Sequence, residues 1–174
     1  MEVLCAGGKM IFESKQFFVD TITTNDYNEI VELYNTNCEF LEKHQGLTYI
    51  TYEWYESEAN AMKEINFITC KLVDYNSGKI LGVFDYMPDI ESYLSILILH
   101  KDYKGNGIGS EFLETFFIYL KSIGARSLRI DVVTGYNDSV LNFWTKHGFQ
   151  MLDHIQLNWN DTILPAVAMR KQLL

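Results

Sequence analysis

One segment constrains the fold of this chain more than any other: an apolar run, a glycine-rich loop and then a helical pattern. Residues 93–99 are apolar almost throughout, which is typical of a strand buried on both faces of a sheet. Gly105, Gly107 and Gly109 follow this run. Glycines let main-chain N–H groups approach an anion closely, and the partial positive charge at a helix start adds attraction. The sequence therefore predicts a phosphate-binding loop between a central strand and a helix.

The remaining patterns predict an α/β protein with a mixed, mostly antiparallel sheet. Runs of β-branched and aromatic residues predict strands, and apolar residues three and four apart predict helices. Turn residues at 75–78 join two of the strands as an antiparallel hairpin. The strands are expected at residues 17–23, 67–74, 79–86, 93–99, 126–133, 150–158 and 163–171, and the helices at residues 24–43, 57–62, 107–123 and 137–147.

The length and the cysteine pattern indicate one domain without a metal centre. A chain of 174 residues fits a single domain over residues 1–174, in which residues 1–15 form a loosely tied extension. Cys5, Cys38 and Cys70 show neither the spacing of a zinc site nor that of a disulfide framework. We expect no leader segment, because residues 1–14 lack a continuous apolar run, and no membrane span, because no window holds enough consecutive apolar residues. We expect a cytoplasmic protein, monomeric or homodimeric, without a membrane partner.

The charge of the chain favours cationic ligands. Acidic residues outnumber basic residues by 23 to 14, which gives a formal net charge of −9. Such a charge repels the phosphates of nucleic acids and anionic lipid surfaces. We therefore expect no nucleic-acid partner, and a cationic amine is the favoured ligand class.

Three glycines alone do not identify the ligand of the loop. Methyltransferases that use S-adenosylmethionine also carry a G-x-G-x-G loop after a strand, and Asp131 matches the acidic residue that would bind the ribose. Such folds need several further βαβ units downstream, and only 43 residues follow Asp131. A methyltransferase is therefore the third alternative.

Two segments resemble, in the same order, the motifs of the GNAT superfamily of acyl-CoA-dependent N-acyltransferases. The glycine loop is similar to the family's Arg/Gln-x-x-Gly-x-Gly/Ala motif, and residues 137–149 are similar to its Asn-x-x-Ala-x-x-Phe/Leu-Tyr-x-Lys/Arg-x-Gly-Phe motif. The resemblance is specific over residues 94–149. Lys104, Val140 and Trp144 depart from the motifs, because they replace Arg or Gln, Ala and Tyr.

The resemblance implies a GNAT-like sheet of about seven strands, with helices on both faces and a V-shaped split between the fourth and fifth strands. Acetyl-CoA would lie in this split, with its pyrophosphate on the main-chain amides of the loop and its pantetheine arm along the preceding strand. The cofactor-binding residues that this implies are Leu97, Leu99, Lys104, Gly105, Asn106, Gly107, Ile108, Gly109, Ser110, Asn137, Phe143 and Lys146.

The implied activity is transfer of an acetyl group from acetyl-CoA to a primary amine of a small molecule, protein or peptide, by direct attack. Trp144 stands where the family commonly has a proton-donating Tyr, and an indole nitrogen does not titrate, so Tyr136 is a candidate acid. Glu91 is the carboxylate nearest to the family's usual base position, and Asp85 and Asp131 are further options. Trp144 also keeps open a second hypothesis, a catalytically silent acyl-CoA-binding sensor or interaction module.

Overall fold

Eight strands form one open sheet in the computed structural model, which describes residues 9–159 and 162–173. The strands are β1 (Met10–Glu13), β2 (Phe17–Thr21), β3 (Ile68–Asp74), β4 (Ile80–Met87), β5 (Glu91–Leu99), β6 (Ser127–Val133), β7 (Gln150–Trp159) and β8 (Thr162–Gln172). Their order is β1, β2, β3, β4, β5, β6, β8, β7, and every neighbouring pair is antiparallel except β5 and β6. The predicted mixed, mostly antiparallel sheet is confirmed, with one strand more than expected. It is not the doubly wound parallel sheet of the methyltransferase alternative.

Helices cover both faces of this sheet, as expected. They are α1 (Tyr27–Asn35), α2 (Cys38–Phe40, continued by a π-helical turn over Leu41–Gln45), α3 (Tyr52–Glu64), α4 (Ile108–Ser122) and α5 (Asp138–Lys146). The first three pack on one face, where Ile30 and Val83 are buried. The last two pack on the other face, around Phe84 and Phe116. Val83 and Phe84 are neighbours in β4, and they enter different cores because successive strand residues point to opposite faces.

The strands β5 and β6 separate after four paired residues, which opens the expected V-shaped split. Their parallel pairing runs from Glu91 opposite Ser127 to Leu94 opposite Ile130. Both strands then continue to the same end of the sheet without pairing to each other. The split is therefore widest where the glycine loop follows β5.

A bulge in β5 explains why the two strands separate at this point. Asp85 and Tyr86 of β4 lie opposite Ile96 and Leu94, so Ser95 is an extra residue in β5. A bulge bends its strand and increases the local twist, which turns β5 away from β6. The backbone of β5 thus loses its second neighbour just before the loop.

The first predicted helix, residues 24–43, is interrupted after Asn35. The hydroxyl of Thr36 and Nδ2 of Asn37 donate to the carbonyl oxygen of Leu33, at 2.7 and 3.0 Å. Asn37 leaves the helical region, with φ −112° and ψ 57°. Side-chain bonds of this kind compete with the next helical turn, so the prediction of one continuous helix is wrong.

The second predicted helix, residues 57–62, is the middle of a longer one. The side-chain oxygen of Thr51 accepts a hydrogen bond from the N–H of Trp54 at 3.3 Å and caps α3, so Ser57 lies inside the helix. Aromatic residues near the start of α3 have no strong helix preference, which weakens the sequence signal there. None of the helices within the described ranges is long and apolar enough to span a membrane.

The expected extension at residues 1–15 includes the edge strand β1. The ring of Phe12 lies 5.2 Å from that of Tyr119 and 5.9 Å from that of Phe116, measured between centroids. These contacts attach β1 to α4. Residues 1–8 lie outside the described residues.

Candidate active site

The glycine loop connects β5 to α4 at the open end of the split. Gly105 and Gly107 have φ values of 78° and 83°, which glycine adopts without strain. A Cβ at either position would meet no atom within 4 Å, so the space beside them is open. Gly109 serves packing instead, because a Cβ there would lie 3.3 Å from the ring of Phe143. The loop thus combines an open outer side with a tightly packed base.

The main-chain N–H groups of this loop are the principal feature of the site. Within residues 9–159 and 162–173, six consecutive N–H groups donate to no protein atom: those of Gly105, Asn106, Gly107, Ile108, Gly109 and Ser110. The N–H of Glu111 is the first to bond inside the helix, to the carbonyl of Gly107 at 3.0 Å. Unpaired N–H groups at the positive end of a helix dipole can bind an anion.

Lys104 differs from the other predicted loop donors. Its N–H already donates to the carbonyl of Lys101 at 3.3 Å, because the loop begins with a 3₁₀ turn over Lys101–Tyr103. Partial desolvation of the ammonium group lowers the pKa of Lys104. The available set of main-chain donors therefore begins at Gly105.

Leu97 and Leu99 direct main-chain groups into the split. The N–H of His100 donates to the carbonyl of Leu81 in β4 at 2.9 Å. Because bonding directions alternate along an antiparallel strand, the N–H and C=O groups of Leu97 and Leu99 face away from β4. The carbonyl of Leu99 accepts a hydrogen bond from Nδ2 of Asn37 at 3.0 Å. Leu97 is therefore the residue whose N–H and C=O groups are both available in the split.

Asn37 is a site residue that no sequence motif indicated. Its side chain is 5% exposed, and Nδ2 also donates to Thr36 and to Leu33. Its Oδ1 is buried and has no partner among the described residues. The sequence signal that could have revealed it is a Thr-Asn pair inside an expected helix, since both residues favour local side-chain bonds.

The second motif contributes residues on the other side of the loop. Oδ1 of Asn137 caps α5 by accepting from the N–H of Ser139 at 3.1 Å and from its hydroxyl at 2.5 Å. Nδ2 of Asn137 has no protein partner in the described part of the chain. Phe143 lies against Gly109, whereas Lys146 is exposed on α5. The structure thus places Phe143 against the loop, keeps Asn137 at the start of α5 and leaves Lys146 on the surface.

A histidine joins the two motifs. Nδ1 of His147 lies 2.7 Å from the carbonyl oxygen of Phe143 and so donates to it. In the neutral ring, Nε2 then accepts from the hydroxyl of Ser110, at 3.0 Å. Trp144 packs inward and is 8% exposed. The centroids of its ring and of the Phe149 ring are 5.2 Å apart. These contacts fix α5 against the first turn of α4.

Tyr136 lies in the segment after β6, at the same end of the sheet as the glycine loop. Its hydroxyl is 2.5 Å from Nε2 of His44, and the two rings are perpendicular. Burial lowers the pKa of His44 to about 4, so its imidazole is neutral at pH 7. Burial also raises the pKa of Tyr136, which keeps its hydroxyl protonated. The pair is therefore neutral and carries transferable protons.

Glu91 lies at the opposite end of β5 from the glycine loop. It forms an ion pair with Arg170, and the hydroxyl of Ser127 donates to it at 3.2 Å. Six residues of strand, about 20 Å, separate Glu91 from Leu97. The structure does not bring Glu91 to the site. The alternation of side chains along a strand predicts which face Glu91 lies on, but not how far it lies from the site.

The two other candidate carboxylates differ in their partners. Asp131 pairs with Arg129 at 3.1 Å and accepts from the hydroxyl of Tyr93 at 3.1 Å. Asp85 is buried one strand from the split, and the hydroxyl of Thr69 donates to its Oδ1 at 2.5 Å. Burial raises the pKa of Asp85 to about 6. Over the described ranges, His, Cys, Asp and Glu side chains form no group that could hold a metal ion.

Solved structures of similar fold are acetyltransferases. A Salmonella typhimurium acetyltransferase that modifies the N-terminal serine of ribosomal protein L7/L12 is 14% identical, with a TM-score of 0.77 over 94% of this chain and 99% of that chain. A Vibrio cholerae spermidine N-acetyltransferase, solved with CoA and spermine, is 13% identical, with a TM-score of 0.72 over 92% and 97%. A Bacillus anthracis GNAT acetyltransferase is 10% identical, with a TM-score of 0.76 over 94% and 99%. At such identities these likenesses show the fold alone.

The family assignment comes from the sequence itself. No curated protein sequence matches this chain. The model of the acetyltransferase (GNAT) family, however, matches residues 27–149, which include the bulge, the split, the glycine loop and the second motif. With this match over most of its length, the chain is an acyltransferase that belongs to the acetyltransferase (GNAT) family.

Proposed function

We propose that the protein transfers an acetyl group from acetyl-CoA to a cationic primary amine by direct attack. The observation that carries this proposal is the run of unpaired N–H groups from Gly105 to Ser110 at the mouth of a split sheet. A diphosphate is the group that such a run of donors fits best. Family membership supports the reaction type, and the spermidine acetyltransferase solved with CoA supports the donor.

The residues present fit both ends of this donor. The open space beside Gly105 and Gly107 accommodates the pyrophosphate, and Leu97 offers one N–H and one C=O to an extended pantetheine arm. Phe143 lies against Gly109 of the loop and Asn137 caps the same helix, α5, whereas Lys146 would act only through its charge at the surface. When bound, acetyl-CoA supplies an acetyl group activated as a thioester.

Placement of the two reactants accounts for much of the rate. The N–H of Leu97 faces the split and would stabilise negative charge that develops on the carbonyl oxygen, an effect worth about 3 to 4 kcal/mol in other enzymes. Holding amine and thioester in attack geometry can contribute roughly 7 to 11 kcal/mol more. The site therefore does not depend on one strong acid or base.

Tyr136 is the proposed acid for the departing thiol. The ammonium form of the acceptor first gives one proton to water, and the free amine gives a second one to water as the C–N bond forms. The sulfur must gain one proton as the C–S bond breaks, and water then returns a proton to the group that donated it. The protonated hydroxyl of Tyr136 can supply this proton, and His44 holds that hydroxyl in place. Tyr136 would thus take the role of the Tyr that Trp144 replaces.

The acceptor class follows from charge and from the range of neighbours. The net charge of −9 steers cations toward the molecule. Among proteins of this fold, one acts on spermidine and another on the N-terminal serine of a ribosomal protein, so the fold serves both small and protein amines. We propose a small cationic amine as the acceptor here.

The second candidate is an acyl-CoA-binding sensor, which the inward packing of Trp144 favours because no Tyr stands at that position. Release of free thiol from acetyl-CoA across a panel of amines separates the two. The proposed enzyme releases thiol with at least one amine and forms the matching acetylated product. Tight CoA binding without thiol release on any amine would support the sensor.

A further inference from the structure

A small cavity lies between the sheet and the helices α1 and α3, on the face opposite α4. Its volume is about 30 Å³. Two carboxylates line it, from Asp85 and Glu58, together with the rings of Tyr34, Trp54 and Tyr55. No Lys, Arg or His is among the described residues that line it. The cavity is therefore an acidic enclosure with aromatic walls.

Asp85 has no protein cation beside it. Asp85 is 8% exposed. Its Oδ1 accepts a hydrogen bond from the hydroxyl of Thr69. In the described part of the chain, Oδ2 has no partner and Asp85 forms no ion pair. A buried carboxylate without a countercharge is costly unless a ligand supplies one.

Two tyrosines that line the cavity interact electrostatically with the carboxylate of Asp85. The hydroxyls of Tyr34 and Tyr55 have raised pKa values, chiefly because they are buried, and the charge of Asp85 raises both further. Burial also raises the pKa of Glu58. The rings of Tyr34 and Tyr55 lie 5.6 Å apart. Aromatic faces beside a carboxylate suit an ammonium group, which is attracted to both.

The cavity is close to the split. Asp85 lies opposite Ile96 of β5, and Ile96 both lines the cavity and precedes Leu97. Neighbouring strands are about 4.8 Å apart, so β4 lies roughly 10 Å from the position where β6 would have paired with β5. A ligand that ends in the cavity can therefore extend to the reacting end of the split.

We propose that this cavity, the Asp85 pocket, binds a second ammonium group of the acceptor. The preferred acceptors are then linear diamines or polyamines, with one cationic end held by Asp85 and Glu58 while the other amine reaches the split. One water needs about 10 to 15 Å³ of such space, so the pocket takes only a terminal group and not a whole metabolite. This inference rests on the proposed function, since it names the substrate class of that site.

The kinetic test compares α,ω-diamines with monoamines of equal chain length. In the Asp85→Asn and Glu58→Gln variants, KM for the diamine should rise about tenfold while KM for the monoamine changes less than about twofold. Glu64→Gln is the matched control, because Glu64 is exposed on the same helix and loses the same charge. Equal changes for both amines, or no change for the diamine, would overturn the proposal.

A binding test separates failure of the pocket from failure of the reaction. In the absence of acetyl-CoA, 1,4-diaminobutane should raise the Tm of the wild-type protein more than butylamine does, and Asp85→Asn and Glu58→Gln should each remove the difference. If no amine is acetylated but this difference is found, the proposed reaction fails and the pocket stands. If the two amines shift Tm equally, the pocket is excluded whatever the turnover.

Discussion

Nε2 of His44 lies 2.5 Å from the hydroxyl oxygen of Tyr136, and this contact joins the π-helical turn of α2 to the segment after β6. The two residues come from opposite sides of the split. His44 also packs on Phe40, with ring centroids 4.3 Å apart. The hydroxyl of Tyr136 is therefore held at a fixed place near the end of the split.

Replacing Tyr136 with Phe should lower kcat by about 100-fold or more, because general-acid catalysis typically contributes that much. KM for acetyl-CoA should change far less, since the hydroxyl is needed only as the thiol departs. Steady-state thiol release measures both constants. Tyr49→Phe removes the hydroxyl of a ring that is 65% exposed and is the control. A Tyr136→Phe enzyme with wild-type kcat would remove Tyr136 from the mechanism.

Replacing Asp85 with Asn should stabilise the protein at neutral and higher pH. Burial raises the pKa of Asp85 from 3.8 to about 6, so the folded state binds this proton more tightly than the unfolded state. The contribution of Asp85 to the stability of the wild type therefore falls as pH rises from about 4 to 6, whereas the neutral Asn makes no such pH-dependent contribution. We expect a gain of the order of 1 to 3 kcal/mol at pH 8 that vanishes near pH 4.

Chemical denaturation at the two pH values measures this difference in the free energy of unfolding. Glu64→Gln again serves as the control, because its carboxylate is exposed. A gain of the same size at pH 4 and pH 8 would show that the carboxylate of Asp85 is not the cause. Improved stability with weaker diamine binding is the trade-off expected of a charged ligand pocket.

Replacing Gly107 with Val should raise the Kd for CoA by about tenfold or more, because the side chain fills space beside the unpaired N–H groups. Gly78→Val is the matched control. Gly78 has a φ of 69° and the same open surroundings, but it lies in the turn between β3 and β4. Both variants acquire similar backbone strain, so calorimetry that finds equal losses of CoA affinity would contradict the assignment of the loop.

Replacing Glu91 with Gln should leave the pH profile of kcat unchanged. The ion pair with Arg170 gives Glu91 a structural contact far from the loop, so a small fall in Tm is the expected effect. Rate measurements across pH check this. A loss of rate near neutral pH that is recovered at high pH, as expected for removal of a base, would return Glu91 to the mechanism.

Features that depend on residues close together in the sequence could be predicted from the sequence alone. The hairpin turn at residues 75–78, the central strand and the glycine loop all carry local signals, and the fold contains each of them. The interruption after Asn35 was missed because apolar spacing continues through it, while the bonds from Thr36 and Asn37 to Leu33 end the helix. The spacing of apolar residues predicts which face of a helix is buried. It does not predict where a side-chain hydrogen bond replaces a backbone hydrogen bond of the helix.

Contacts between distant segments could not be predicted in the same way. Asn37 reaches Leu99, and His44 reaches Tyr136, only because α2 packs across the end of the split. Asp85 and Glu58 line one cavity because α3 packs on α1 and β3, beside β4, and no motif encodes this arrangement. The prediction for Glu91 failed in another way: Glu91 lies on the strand that leads to the site, but about 20 Å from Leu97.

The central claim, that bare amides of the glycine loop hold CoA in the split, is tested most directly by an amide correlation spectrum of the isotopically labelled protein during titration with CoA. We expect the signals from Gly105 to Ser110 to shift together with that of Leu97, and to saturate at one CoA per chain. Shifts confined to other parts of the chain, or none at all, would contradict the claim.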